Sequence, residues 1–525
     1  MTERSGAEAL AAAFAEAGVA RIFGVPGGGS SLDLIAAAKQ AGIGFVLARH
    51  EFAAGVMASV TAELSGAPGV ALCTRGPGVG NAANAMANAA LERSPLVLVA
   101  DGFAPAERAF ATHQYFDHAA MMAPVAKASV ALGETPAGTA ARQALTAALT
   151  APRGTALIEM SAESARAAAP AAPRFTAPSL PAADAAALAA ARALIAGARR
   201  PVAILGLELL EPEAAAAAHA LVAALGCPAL VTYKAKGVVP DTDPRFAGIF
   251  TGGAAEGPVL DQADAILLLG ADPVEFIPKP WRWDVPLVDC GTAPRPLHYR
   301  QPDAGCYGAL APMLRALAEG VTPSAWTPAA IAPLREHWLQ LLANRGSGHN
   351  GRGLGPQQVV ETVQAACRQA GADPRLAVDA GAHMFPATTY WQASRPGDLL
   401  ISNGLATMGF ALPAGIAAAL HDPARGAIAF IGDGGLLMQL GEIATAATLG
   451  VKLVTVVFND AGLSLIDIKK GARDLPDRTL DWPGVDFAAA ARAMGAAGFT
   501  AGSEAALAAA MAQALALPGP SVIDV

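Results

Sequence analysis

Charge is scarce in this 525-residue chain: 15% of residues are Asp, Glu, Lys or Arg, and only 5% are aromatic. The 36 basic residues are outnumbered by 44 acidic ones, for a net charge of −8. That argues against a nucleic-acid partner, which needs basic stripes along its backbone. Cysteine is also scarce. Cys73, Cys227, Cys290, Cys306 and Cys367 are scattered with no C-x-x-C pair. An odd, unspaced set suggests buried thiols in a reducing compartment and argues against a cysteine-held metal. No long unbroken apolar run exists. The longest uncharged stretch, Leu399 to Leu420, holds Ser402, Asn403, Gly404, Gly409, Pro413 and Gly415. A membrane-spanning helix wants about 20 apolar residues without such breakers. The stretch reads as a loop plus a buried core helix, so no membrane is expected. No secretory signal is visible; "MTERSGAEALAAAFAEAG" reads as an amphipathic helix capped by Thr2 or Ser5. A cytoplasmic location is the expectation.

What the chain has is bulk for burial: 53% hydrophobic residues over a length that suggests two to four domains. Residues 161–186 are rich in Pro and Ala and residues 343–356 in Gly, so both read as linkers. They separate domains at 1–170, 187–342 and 356–525. Each block alternates short β-branched runs with alanine-rich helical stretches. The runs include "IGFVL" (43–47), "GVALCT" (69–74), "PLVLVA" (95–100), "PVAILG" (201–206), "AILLLG" (265–270), "AIAFIG" (427–432) and "KLVTVVF" (452–458). Continuous apolar runs indicate strands covered on both faces. Strand–helix alternation then predicts three α/β domains with doubly wound parallel sheets. No short repeat period is present.

Two acids stand at bare positions in the last block. Asp433 follows "AIAFI" inside "GDGG", and Asp460 follows "KLVTVVF" inside "NDAG", 27 residues later (460 − 433). "LLMQLGEIATAATL" between them fits one helix ending at Gly450. This is a βαβ unit, whose right-handed crossover brings its second strand back parallel to the first. Both acids then leave the carboxyl edge of one sheet, where open α/β sheets bind ligands. Two carboxylates beside a glycine turn and a helix N-terminus suit Mg²⁺ holding a diphosphate. Helix-capping or turn acids in solvent are the other reading.

The G-D-G stretch, followed by N-D-A-G after an apolar strand, resembles the cofactor motif of the thiamine-diphosphate-dependent enzymes. The relevant group contains acetolactate synthase, benzoylformate decarboxylase and benzaldehyde lyase. "FGVPGGGSSLDLI" (23–35), "ARHEFAAGVMA" (48–58), "TRGPGVGNAANAMANA" (74–89) and "APVAKAS" (123–129) resemble its pyrimidine-binding domain, and "SNGLATMGFALPAGIAAAL" (402–420) the segment folded over the cofactor. The resemblance implies a pyrimidine-binding domain, a central Rossmann-like domain and a diphosphate-binding domain. It implies that Asp433, Asp460 and the carbonyl of Gly462 bind Mg²⁺. Asp460 stands where the family usually has Asn. Gly434, Gly435 and Asn459 would lie along the diphosphate, with Ala380, Gly381, Ala382 and His383 on its other side. Ala406 would offer its carbonyl to the aminopyrimidine, and Met408 would bend the cofactor.

Glu51, at a strand-to-helix junction, would hydrogen-bond the pyrimidine N1′. Outside the family it would read as an acid complementing a helix dipole. Gly76, Gly78 and Gly80 lack dinucleotide-fingerprint spacing; the resemblance makes them a tight loop beside the site, with Asn81 as a cap or turn residue. "CTRGPG" (73–78) offers no histidine to protonate an intermediate, which leaves His113 and Gln114 as catalytic candidates. Carboligation after decarboxylation of a 2-oxo acid is therefore expected, as in acetolactate synthase. The alternatives are a simple 2-oxo acid decarboxylase, or a lyase or hydrolase of a 2-hydroxy ketone or diketone. A non-enzymatic relative is disfavoured by the presence of Glu51 and Asp433. FAD is unlikely, because "PVAILGLELLEP" leads into no glycine-rich phosphate turn. A homodimer or homotetramer with active sites at the subunit interface is implied.

Overall fold

The computed structural model describes residues 4–296, 300–343 and 353–525. Most of the expected glycine-rich linker, 344–352, lies outside the described residues, as does Thr2. The first helix, Gly6–Glu16, is capped by Ser5, whose side chain accepts the Glu8 N–H while the Glu8 carboxylate accepts the Ser5 N–H.

Three six-stranded parallel sheets form three α/β domains. Across the first sheet run Gly44–Leu47, Arg21–Val25, Gly69–Cys73, Leu96–Asp101, Thr155–Met160 and Ala126–Ala131. Across the third run Leu399–Ile401, Arg375–Val378, Ala427–Gly432, Leu453–Phe458, Ser521–Asp524 and Ala497–Thr500. Both place their strands in the chain order second, first, third, fourth, sixth, fifth. The central sheet runs Phe246–Ile249, Ala229–Val231, Pro201–Leu205, Ala265–Leu269, Leu287–Gly291 and Ala304–Tyr307. Its order, third, second, first, fourth, fifth, sixth, is that of a dinucleotide-binding Rossmann sheet. All seven apolar runs quoted above are strands.

Two local readings need correction. The Leu399–Leu420 stretch begins with a short edge strand, Leu399–Ile401, before its loop and its helix, Ala411–His421. The helix expected between the two acids is broken into Asp433–Gln439 and Glu442–Leu449. Gly441, a poor helix former, sits at the break, and just after it the Glu442 carboxylate accepts the N–H groups of Arg49 and His50 of the first domain at 2.8 and 3.0 Å.

The first and third domains share one hydrophobic core. Phe52, Val56 and Met57 of helix Glu51–Ser65 pack with Phe410, Leu412 and Ile416 at helix Ala411–His421. The central domain has a core of its own. All five cysteines are buried and unpaired. Among the described residues, no helix is long and apolar enough to cross a membrane.

Candidate active site

Asp433 opens helix Asp433–Gln439 directly after strand Ala427–Gly432. The neighbouring strand Leu453–Phe458 is parallel and in register, Gly432 opposite Phe458. Asp433 and Asp460 therefore do leave the same sheet edge. A third loop joins them there. Strand Arg375–Val378 flanks Ala427–Gly432 on the other side, and Ala380, Gly381, Ala382 and His383 follow it. The crevice between these two strands is where the strand order reverses, the usual ligand position of an open α/β sheet.

Asp433 is buried. One carboxylate oxygen accepts the Gly434 N–H at 2.9 Å and the other accepts the Trp482 indole N–H at 3.1 Å. Burial pushes its carboxyl up to about 6, and the nearby Asp460 adds to the shift. Asp460 accepts the Ser464 hydroxyl. Ala461 takes a left-handed φ of 59°, and Gly462 bridges Asp481. Leu463 donates to the Leu480 carbonyl at 2.7 Å and Trp482 to the Ala461 carbonyl at 3.0 Å. The 480–482 stretch thus folds back on this turn and delivers the indole to Asp433.

His383 is buried and stacked on Phe458, with centroids 4.9 Å apart at 18°. Burial lowers it to about 4, so the ring is neutral at pH 7. Its Nε2 is buried without a partner among the described residues. Gly381 has φ 153°, and a Cβ there would lie 2.8 Å from the His383 ring, so glycine is required for the ring to approach. Asn459 donates its amide to the Val485 carbonyl at 3.1 Å and to Asp524 at 2.9 Å. Met408 and Trp482 flank Gly434: a Cβ at Gly434 would lie 3.4 Å from the Met408 methyl and 3.1 Å from the indole. Ala406, exposed with φ 53°, holds an uncommon conformation for a non-glycine residue.

Asp379 gave no sequence signal of its own, yet it organises this half. It is fully buried, and burial pushes it up to about 7. It accepts the N–H groups of Gly409 and Phe410 at 2.9 and 2.8 Å. A Cβ at Gly435 would collide with its carboxylate.

The other half sits on the first domain. Glu51 opens helix Glu51–Ser65, whose cap is His50, accepting the Phe52 N–H at 3.1 Å. The Glu51 carboxylate is 8% exposed and accepts the Asn81 amide at 3.0 Å. Asn81 is thus no cap; it lies inside helix Pro77–Leu91 and orients Glu51. A Cβ at Gly78 would lie 3.3 Å from the Glu51 carboxylate and 3.1 Å from Cys73, so the glycine keeps that face open. His113 and Gln114 are exposed. Gln114 has φ 53° and packs its backbone on Gly76.

A histidine does reach the glycine loop, from outside it. Buried His118 accepts the Gly76 N–H at Nε2, 3.1 Å, so Nδ1 carries the proton and donates to Glu159 at 2.7 Å. A separation of 42 residues hides this contact from local reading.

Among the described residues, no hydrogen bond or ion pair joins Glu51 to Asp433. No group of three or more His, Cys, Asp or Glu suited to a metal occurs among them either. Asp433 and Asp460 bring two carboxylates near each other at this sheet edge. That fits Mg²⁺, which takes few protein ligands and completes its shell with phosphate oxygens and water. Gly434 and Gly435 leave the backbone bare at this edge, where a Cβ would meet Met408, Trp482 or Asp379, and a bare backbone admits close approach of a diphosphate.

Residues 4–121, 188–317 and 379–525 match the N-terminal thiamine pyrophosphate binding, central and C-terminal thiamine pyrophosphate binding domains of thiamine pyrophosphate enzymes. The chain is 30% identical to the catabolic acetolactate synthase of Raoultella terrigena, over 99% of this chain and 94% of that one. It is 29% identical to the acetolactate synthase of Bacillus subtilis, over 100% and 93%. To the probable 2-ketoarginine decarboxylase of Pseudomonas aeruginosa it is 29% identical, over 93% and 88%.

Proposed function

The chain belongs to the thiamine pyrophosphate enzyme family, and on that premise we propose that it decarboxylates a 2-oxo acid and joins the remaining fragment to a second carbonyl, with Mg²⁺ as metal. Thiamine diphosphate supplies the nucleophilic carbon and the electron sink for the cleaved bond. The protein supplies placement. Asp433, Asp460 and the Gly462 carbonyl hold the metal. Gly434, Gly435 and Asn459 line the diphosphate on one side, and Ala380, Gly381, Ala382 and His383 on the other. His383, neutral at pH 7, lines that side as an uncharged ring. Ala406 offers its carbonyl to the aminopyrimidine above Met408. Glu51, oriented by Asn81, holds a proton at the pyrimidine N1′. His113 and Gln114 would face the substrate from the exposed loop.

The observation that carries this reading is the pair of buried or half-buried acids, Asp433 and Asp460, that follow neighbouring in-register strands at the switch point of the third sheet. Glu51 lies on a different sheet, so a second copy of the chain is proposed to complete each site. Exposed apolar side chains accompany both halves: Phe110 at 74% four residues before Gln114, Met438 at 57% in the helix that Asp433 opens, and Ile468 at 63% in the helix after Asp460. Such surfaces suit an interface.

No FAD is proposed. At the switch point of the central sheet, Arg295 bridges Glu208 at 2.6 Å and Asp272 at 3.1 Å, and Glu275 accepts the Leu207 N–H at 3.0 Å. These carboxylates stand where the phosphates of a dinucleotide would lie.

The reaction is tested by supplying pyruvate and other 2-oxo acids with and without an aldehyde acceptor and resolving the products. An acyloin or acetohydroxy acid is expected. Free aldehyde dominating at saturating acceptor would contradict the carboligase reading. Consumption of an acyloin or diketone, with no 2-oxo acid consumed, would make the protein a lyase or hydrolase.

A further inference from the structure

The segment Ser402–Phe410 carries Ala406 in its left-handed conformation and Met408 over Gly434. Asp379 pins its far end at Gly409 and Phe410. The near end is held from outside the domain. Gly404 donates its N–H to the Glu92 carboxylate at 2.7 Å, and the Ser402 hydroxyl donates to Asn88 at 2.7 Å. Asn84 reaches the Thr407 hydroxyl at 3.1 Å. All three partners lie on or just beyond helix Pro77–Leu91 of the first domain.

Glu92 is an unfavourable acid where it stands. It occupies the C-terminal end of that helix, where the macrodipole opposes negative charge. Its side chain is 1% exposed. Glu63, near the end of helix Glu51–Ser65, adds a second carboxylate beside it, 7% exposed. One cation serves both. Lys234 of the central domain, 2% exposed, lies 2.7 Å from Glu63 and 3.3 Å from Glu92, and its ammonium also reaches the Ile401 carbonyl at 3.4 Å. Burial opposes the charge of Lys234, but the two carboxylates hold its pKa above the usual lysine range. The next residue, Arg93, repeats the tie: with φ 54° it bonds Asp272 of the central domain at 2.7 Å.

We propose that Lys234 is a positioning residue for the Ser402–Met408 segment: by neutralising Glu63 and Glu92 it keeps the Glu92 carboxylate on the Gly404 N–H, and so fixes Ala406 and Met408. The central domain, which gives no residue to either half-site, thereby sets the shape of the cofactor pocket. The role assigned to Ala406 and Met408 rests on the functional reading above; the anchoring itself does not.

Amide hydrogen exchange on the full-length protein, without cofactor, tests the anchoring. In Lys234→Met, exchange across 402–408 is expected to rise about tenfold or more while 431–436 keeps its wild-type rate. Glu92→Gln leaves Lys234 and Glu63 as a neutral pair, so it should fold even where Lys234→Met does not. It is expected to show a smaller rise in the same segment, because the amide oxygen still accepts from Gly404 but without the charge that strengthens the bond. Wild-type exchange at 402–408 in either folded variant, or an equal rise at both segments, would overturn the proposal. With thiamine diphosphate and Mg²⁺ added, affinity in Glu92→Gln should stay within about threefold while C2–H exchange of the bound cofactor slows about tenfold. Wild-type C2–H exchange would remove the link to the cofactor. Failure of the wild-type protein to bind thiamine diphosphate would sink the functional reading, and leave the hydrogen-exchange result to be judged alone.

Discussion

In the proposed site, Asp433 is the residue at which burial would act on metal binding. Its carboxyl is held near 6 by burial and by Asp460, so below that pH the proton competes with the metal. A raised carboxyl pKa leaves the neutral form dominant on the acid side, and a metal needs the ionised form. Affinity for Mg²⁺ with thiamine diphosphate is therefore expected to level off above about pH 6 and to fall about tenfold per unit below it. Calorimetric titration between about pH 5 and 8 measures this; a flat profile would remove Asp433 from the metal. Glu51 carries the complementary test. Glu51→Gln should keep the fold and bind the cofactor, yet lower turnover at least about 100-fold, with slowed C2–H exchange by NMR. The places of Asp433 and Glu51 in the fold were legible because each stands beside its own signal: a glycine turn after a strand, or a strand-to-helix junction. Asn81, His118 and Trp482 were not legible in those roles. Their partners lie 30, 42 and 49 residues away, and only the fold brings them in.

At the scale of elements, apolar runs revealed the interior strands because burial on both faces imposes their composition. The edge strand Leu399–Ile401 was concealed because it is short and merges into a loop rich in glycine. The break between Asp433–Gln439 and Glu442–Leu449 was hidden for another reason. An isolated glycine, Gly441, is a weak stop signal on its own, and the contact of Glu442 with Arg49 and His50 comes from another domain. The first of these two helices packs tightly at its start. Gly435→Ala would drive a methyl into the Asp379 carboxylate, which already holds Gly409 and Phe410. Overpacking of this kind costs about 1–3 kcal/mol. A lowered Tm in thermal unfolding is the expected outcome; an unchanged Tm would mean that Asp379 moves freely, against its role as an anchor.

At the scale of the molecule, the two outer domains share a strand order although no short repeat marks their sequences. Side-chain pattern specifies a sheet through burial, and many sequences satisfy the same burial. The shared order puts Glu51 and Asp433 at corresponding carboxyl edges of two sheets. Within one chain those sheets meet through their helices, Phe52 and Val56 against Leu412 and Ile416, and the halves of the site are not joined by any bond among the described residues. Complementation between two inactive variants tests the central claim that two chains build each site. Glu51→Gln and Asp433→Ala are purified, mixed in equal amounts, dissociated and reassembled. In a mixed dimer one site receives Glu51 from one chain and Asp433 from the other, both intact. Random pairing should restore about a quarter of wild-type activity per site. A reassembled mixture as inactive as its two parents would contradict the account.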